Sequence, residues 1–203
     1  MLVFLVLALF VAAPLRTLLG QLPFDLLFSL VLVSGVIAFS RRRWLAGAVA
    51  VCGVIWLALR WSRSASDQGV EVEGEAWLSL LTLLILTGLV LEHVFREGPI
   101  TADRVRGAVT AYLLLGLAWT FGYILVEHFS PGSIQASGTA PTNNAHFAYF
   151  SFATLTTLGY GDTVPVHPVA RALAIAEALV GQLYPPILIG RLVSLQISAR
   201  VGR

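Results

Sequence analysis

The sequence predicts an all-α membrane protein with about six transmembrane helices and a short re-entrant segment between the last two, and three observations carry this. Hydrophobic residues make up 57% of the chain and charged residues only 12%, with a mean hydropathy of +0.83, which places it in the membrane class. Apolar runs recur at bilayer length. Between the last two, residues 129–168 break the pattern with a half-length apolar stretch and a glycine-rich loop.

The apolar runs lie near 1–19, 22–39, 44–60, 76–95, 107–128 and 169–191, each near the roughly 20 residues that a helix needs to cross the hydrocarbon core. The first is interrupted by Pro14 and Arg16, and its apolar core, ending near Ala12-Ala13, resembles that of a signal peptide. A cleaved leader would leave five spans. The lack of a basic region beyond the terminal amine favours a true span. The segment from Ser130 to Asn144 has loop composition, and 145–156 turns apolar again. As a helix of about 12 residues it reaches only about 18 Å, too short for a core about 30 Å thick. Thr142, Asn143 and Asn144 offer capping side chains before it, and Gly159 and Gly161 discourage its continuation. A helix that enters and stops must be followed by irregular backbone, which membrane depth tolerates only against protein or a water-filled cavity.

All 13 basic residues are arginines, and the net charge is +2. They sit at segment ends and form no patch suited to nucleic acid. With the re-entrant loop outward, Arg41, Arg42, Arg43, Arg96, Arg104, Arg106, Arg200 and Arg203 fall on the cytoplasmic side with Arg191 near it, against Arg16, Arg60, Arg63 and Arg171 outside. This follows the positive-inside tendency and predicts both termini in the cytoplasm and residence in the plasma (inner) membrane. The one cysteine, Cys52, excludes a disulfide within the chain and a thiolate cluster. His128, His146 and His167 have no metal-ligand spacing, and no nucleophile-and-base arrangement appears within the spans, so an enzyme is not expected.

The loop reads Thr156-Thr157-Leu158-Gly159-Tyr160-Gly161-Asp162. Taken alone, Gly-Tyr-Gly-Asp is also a turn sequence. Following a half-length helix and preceding a full span, it resembles the selectivity filter of the potassium channel family, whose usual form is T-V-G-Y-G-D, with Leu158 in place of Val. Such a filter needs successive carbonyls aimed at one axis, and glycines at alternate positions supply the required dihedrals. The resemblance implies that the carbonyls of Thr157, Leu158, Gly159 and Tyr160, with the Thr157 hydroxyl, bind permeant potassium ions, with Gly161 and Asp162 completing the filter. It implies no organic cofactor. Tyr149 and Phe150 stand where relatives carry paired tryptophans, and with Thr154 and Thr156 they are expected to support the filter. Ala153 replaces an acid found behind the filter in some relatives, so Asp162 needs another partner, Arg171 or water. The carbonyls ending the short helix are expected to face a cavity below the filter.

In the last span, Gly181 lies twenty residues after Gly161, where many relatives bend, and Pro185-Pro186 one turn on should kink the helix. These are gating candidates. So is Glu177, a carboxyl two turns into a membrane helix, which requires a partner or water. It reads either as a hydrogen-bonded acid packed behind the filter or as a proton-sensitive gate.

The expected organisation is a four-helix membrane module of unknown role over 1–100 and a pore domain over 101–203, with an outer helix at 107–128, a pore helix at 145–156, a filter at 157–162 and an inner helix at 169–198. One filter in the sequence implies a homotetramer surrounded by membrane lipids, and a separate cytoplasmic regulator stays open. The alternatives are a pore subunit of a cation uptake transporter, or a membrane ligand or lipid sensor with a vestigial pore. No span carries an arginine at every third position, and 76–95 has no basic residue but His93. Weak voltage dependence follows. The conductance–voltage relation in planar bilayers is expected to correspond to less than one elementary charge crossing the field, about 2.3 kcal/mol per 100 mV; a steeper relation would contradict this reading.

Overall fold

The computed structural model describes residues 72–96, 101–136 and 144–201, together with Leu2, Val6, Gly47 and Val51. The runs expected at 1–19, 22–39 and 44–60 lie almost wholly outside the described residues. The chain divides into two compact units, 1–89 and 90–203. Helix α1, Val72–Phe95, crosses their boundary. The second unit contains α2 (Ala102–Phe129), strand β1 (Ile134–Ala136), α3 (Asn144–Leu155), β2 (Thr163–Pro165) and α4 (Pro168–Val201). Among the described residues, three stretches are long and apolar enough to cross a membrane: Gly74–Phe95, Ala102–Phe129 and Pro168–Ser194.

Helix α1 holds few polar side chains, and its threonines satisfy themselves. Thr82 and Thr87 donate to the carbonyls of Leu78 and Leu83, each at 2.7 Å, so neither hydroxyl needs water at membrane depth. Leu83 and Leu86 are fully buried, whereas Trp77, Leu81 and Leu84 are exposed, which gives the helix one packed side and one side suited to lipid. In the second unit, the Nε2 of His93 lies 3.4 Å from Asp103 Oδ2. His93 thus meets an acid at the start of α2.

Thr101 caps α2 by accepting from the Arg104 amide at 3.4 Å, with Asp103 in the first turn. The helix stops at Ser130, whose amide still bonds Val126, because Pro131 offers no amide to continue it. Glu127 then organises the turn that follows. Its carboxylate accepts from the Gly132 amide at 2.7 Å and the Ile134 amide at 3.1 Å, and Gly132 takes a positive φ of 82°.

That turn leads into a two-stranded antiparallel ribbon in which Ile134, Gln135 and Ala136 pair with Pro165, Val164 and Thr163. The expectation of an all-α chain omits this ribbon. Strands of three residues are too short for an alternating pattern to register. The Ser133 carbonyl adds bonds from the Val166 and His167 amides at 2.8 and 3.2 Å.

Helix α3 lies against both α2 and α4, and small residues allow the close approach. A Cβ on Gly116 of α2 would stand 2.6 Å from the Phe152 ring of α3. Tyr123 of α2, fully buried, packs edge-on against Phe150 of α3 with ring centroids 4.8 Å apart. Tyr184 of α4 donates to the Ala108 carbonyl of α2 at 2.8 Å and lies against Tyr112. Gly116→Ala is expected to destabilise the folded protein by about 1–3 kcal/mol through overpacking. Gly122→Ala, on the same helix but with open space around the added methyl, should be neutral or better. Thermal unfolding in detergent that ranked the two variants the other way would count against this packing.

Candidate ion-conduction site

The site begins with an obligation at the carboxyl end of α3. The last four carbonyls of a helix lack partners within it. Each finds a protein donor here. Phe152 accepts from the amide of Thr156 at 3.1 Å and from its hydroxyl at 2.6 Å. Ala153 accepts from the amides of Leu158 at 2.8 Å and Gly159 at 3.1 Å, and Thr154 from the amide of Thr157 at 2.9 Å. Leu155 accepts from the Tyr112 hydroxyl of α2 at 3.0 Å. The carbonyls expected to face a cavity are therefore engaged by protein donors.

The bonds Leu158 to Ala153 and Thr157 to Thr154 together form a Schellman cap, which requires the residue after the cap to be left-handed. Glycine usually stands there. In this chain it is Thr157, with φ of 57°, a conformation that costs a β-branched residue about 1–2 kcal/mol. Gly159 and Gly161 follow with φ of 52° and 81°, so positive φ recurs at every second residue from 157 to 161.

The consequence for the carbonyls is geometric. In a planar trans peptide the amide N–H and the preceding C=O point in opposite directions. Because the amides of Thr157, Leu158 and Gly159 point back into α3, the carbonyls of Thr156, Thr157 and Leu158 point away from it. Residues 156–162 are all exposed, with Leu158 at 56% and Tyr160 at 69%. A row of outward carbonyl oxygens on an exposed loop is a set of hard ligands suited to a desolvated monovalent cation.

The far end of the loop is held separately. Asp162 accepts from the Tyr149 hydroxyl of α3 at 3.0 Å, and from the Thr163 amide at the same distance. The sequence had offered Arg171 or water as its partner. Arg171 instead donates from Nε to the Pro165 carbonyl at 3.1 Å, securing β2. Phe150, beside Tyr149, is buried with its ring edge-on against Tyr123.

Behind the loop, α4 meets α3 at two points. Glu177 is fully buried; its Oε2 accepts from the Tyr123 hydroxyl of α2 at 2.6 Å, and its Oε1 lies 2.6 Å from Ser151 Oγ of α3. Ser151 Oγ also lies 2.7 Å from the Gly116 carbonyl oxygen. One turn on, Gly181 abuts the end of α3, and a Cβ there would collide with the Leu155 carbonyl. Gly181 is thus a packing position as well as the expected bending point. Pro185 and Pro186 are exposed within α4, which stays helical through both. Sequence reasoning missed Tyr112, Tyr123 and Ser151. Their signal was a hydroxyl within an apolar run, which by itself names no partner.

Gly181→Ala is expected to cost more than the roughly 1–3 kcal/mol of ordinary overpacking, because the obstacle is backbone. Gly190→Ala, with open space, should be neutral or stabilising by up to about 1 kcal/mol. Equal melting temperatures for the two variants would refute this packing.

The ion channel family's sequence model matches residues 113–196, which run from within α2 through the loop to near the end of α4. Protein LctB of Bacillus caldotenax is 31% identical over 126 residues, 58% of this chain and 93% of that protein. Its counterpart in Geobacillus stearothermophilus is 29% identical over the same shares. Two pore potassium channel b of Oryza sativa subsp. japonica is 39% identical over 90 residues, 43% of this chain but 23% of the rice protein. No solved structure is significantly similar to the chain. With this matched region enclosing the loop at 156–162 and the helices that hold it, the chain belongs to the ion channel family and is a non-enzymatic membrane protein.

Proposed function

We propose that the chain is a subunit of a potassium-selective channel that conducts dehydrated potassium through the carbonyls of Thr157, Leu158, Gly159 and Tyr160 and the Thr157 hydroxyl. The observation that carries this reading is the positive φ at Thr157, Gly159 and Gly161, combined with the return of three loop amides into α3. Carbonyls so freed replace water around an ion of the right size. The likeness to rice proteins named as two pore potassium channels supports the choice of ion.

One loop supplies one side of a cage, so closing it takes four copies around an axis. The exposure of Leu158 and Tyr160, and of Ile175, Leu179 and Leu183 on α4, supports surfaces that neighbouring copies and lipid would cover. In this reading α2 is the outer helix, α3 the re-entrant pore helix and α4 the inner helix of a pore domain over 101–203, with 1–100 a separate module. The arginine distribution supports cytoplasmic termini in a plasma (inner) membrane. The absence of a charge stripe supports weak voltage dependence. Gly181, Pro185 and Pro186 are the gating candidates, since prolines at 185 and 186 leave the carbonyls of Gly181 and Gln182 without their helical donors.

Purified protein in liposomes should show a reversal potential that follows the potassium gradient in mixed potassium and sodium. Gly159→Ala should abolish that preference, because alanine at φ of 52° is strained by about 1–2 kcal/mol and adds a methyl where the loop must stay open. Currents indifferent to both the ion and the substitution would sink the proposal.

A further inference from the structure

The contacts of Glu177 allow its hydrogens to be counted. Five oxygens from four residues form a chain: Tyr123 Oη to Glu177 Oε2 at 2.6 Å, Glu177 Oε1 to Ser151 Oγ at 2.6 Å, and Ser151 Oγ to the Gly116 carbonyl at 2.7 Å. Three contacts of hydrogen-bond length each need a hydrogen. Tyr123 supplies one and Ser151 supplies one. A carboxylate supplies none, and neither does a carbonyl.

If Glu177 were ionised, the single Ser151 hydrogen would have to serve two acceptors, Glu177 Oε1 and the Gly116 carbonyl. One contact would then be two lone-pair-bearing oxygens pressed together without a proton. The un-ionised acid closes the count: Glu177 donates to Ser151, Ser151 donates to Gly116, and Tyr123 donates to the free carboxyl oxygen. Gly116 can do without Ser151, since Thr120 Oγ1 also donates to it at 2.8 Å. The short Ser151 contact still demands a hydrogen between the two oxygens.

The surroundings agree with a neutral acid. Glu177 has no exposure, and its bonding partners among the described residues are the hydroxyls of Tyr123 and Ser151. The titratable groups facing it are Tyr123 and Tyr112, both on α2. Helix α3 presents the Ser151 hydroxyl. Arg171 and Arg191, on its own helix, are exposed. An ionised carboxylate in such a place would lack a counter-charge at membrane depth.

We propose that Glu177 is held as the un-ionised acid, a positioning residue whose hydrogen-bond chain joins α4, α3 and α2 directly behind the carbonyl-lined loop and so fixes the loop's height and orientation. Ser151 lies one turn before Leu155, and the loop amides bond to Ala153 and Thr154 in between. A shift of α3 at Ser151 is therefore a shift of the loop. The acid's neutrality keeps a fixed negative charge out of the packing behind the ion path, so Glu177 steadies the filter without being a cation site. Its effect on selectivity rests on the channel reading above; its protonation does not.

The test uses the full-length reconstituted protein and two readouts. Infrared difference spectra at neutral pH between wild type and Glu177→Gln should contain the carbonyl stretch of a protonated carboxylic acid, lost in the variant. Ser151→Ala should move that band to higher frequency by removing its acceptor. In mixed-ion flux, Glu177→Gln, which keeps both donor and acceptor, should hold the potassium-to-sodium permeability ratio within about twofold of wild type. Glu177→Ala and Ser151→Ala should lower it by about tenfold, the scale of one lost buried hydrogen bond. A carboxylate band in place of the acid band would overturn the proposal, as would a Gln variant that misfolds or behaves like Ala. A wild type that shows the acid band but no ion preference would instead overturn the potassium-channel reading and leave the protonation standing.

Discussion

A chain that leaves a helix orphans that helix's last carbonyls, which must find donors elsewhere. The end of α3 meets this with the loop itself. The carbonyls of Ala153 and Thr154 take up the amides of Thr157, Leu158 and Gly159, and planar peptides then turn the opposite carbonyls outward. Helix termination and ligand presentation are thus one set of bonds. The left-handed conformation that closes the cap falls on Thr157, so the strain lies where the helix gives way to the loop.

A loop held by its own helix is only as steady as that helix, and α3 has just 12 residues. Its position comes from neighbours. Gly116 and Gly181 let α2 and α4 approach it more closely than any Cβ would allow. Three hydroxyls, two from α2 and one from α3, complete the arrangement: Tyr112 takes the Leu155 carbonyl, Tyr123 holds Glu177, and Ser151 links Glu177 to Gly116. Directional bonds of this kind specify one position among the many that apolar packing alone would permit. They also explain why polar groups are placed where lipid-soluble helices otherwise avoid them.

The outer end of the loop is anchored differently. Glu127 folds the turn after α2, that turn starts β1, and β1 pairs with β2 directly after Asp162. Tyr149 then ties Asp162 back to α3. The loop is restrained at Thr157 from behind and at Asp162 from outside, while the residues between present oxygen to an open side. Such an arrangement combines a rigid frame with ligands that are not used up by the protein.

Much of this was legible in the amino-acid order. Hydrophobic runs placed α1, α2 and α4, and a half-length run placed α3, because span length and backbone satisfaction are local demands of the bilayer. The loop was legible too, since glycine at 159 and 161 marks left-handed backbone wherever it folds. Tertiary structure alone decided which groups meet: that Asp162 pairs with Tyr149 and not Arg171, that Gly181 serves close packing, and that Tyr123 and Ser151 enclose Glu177. These contacts join residues 13 to 54 positions apart. A hydroxyl or a glycine in an apolar run announces only that a partner or a close approach exists. Which one it is depends on how the helices cross.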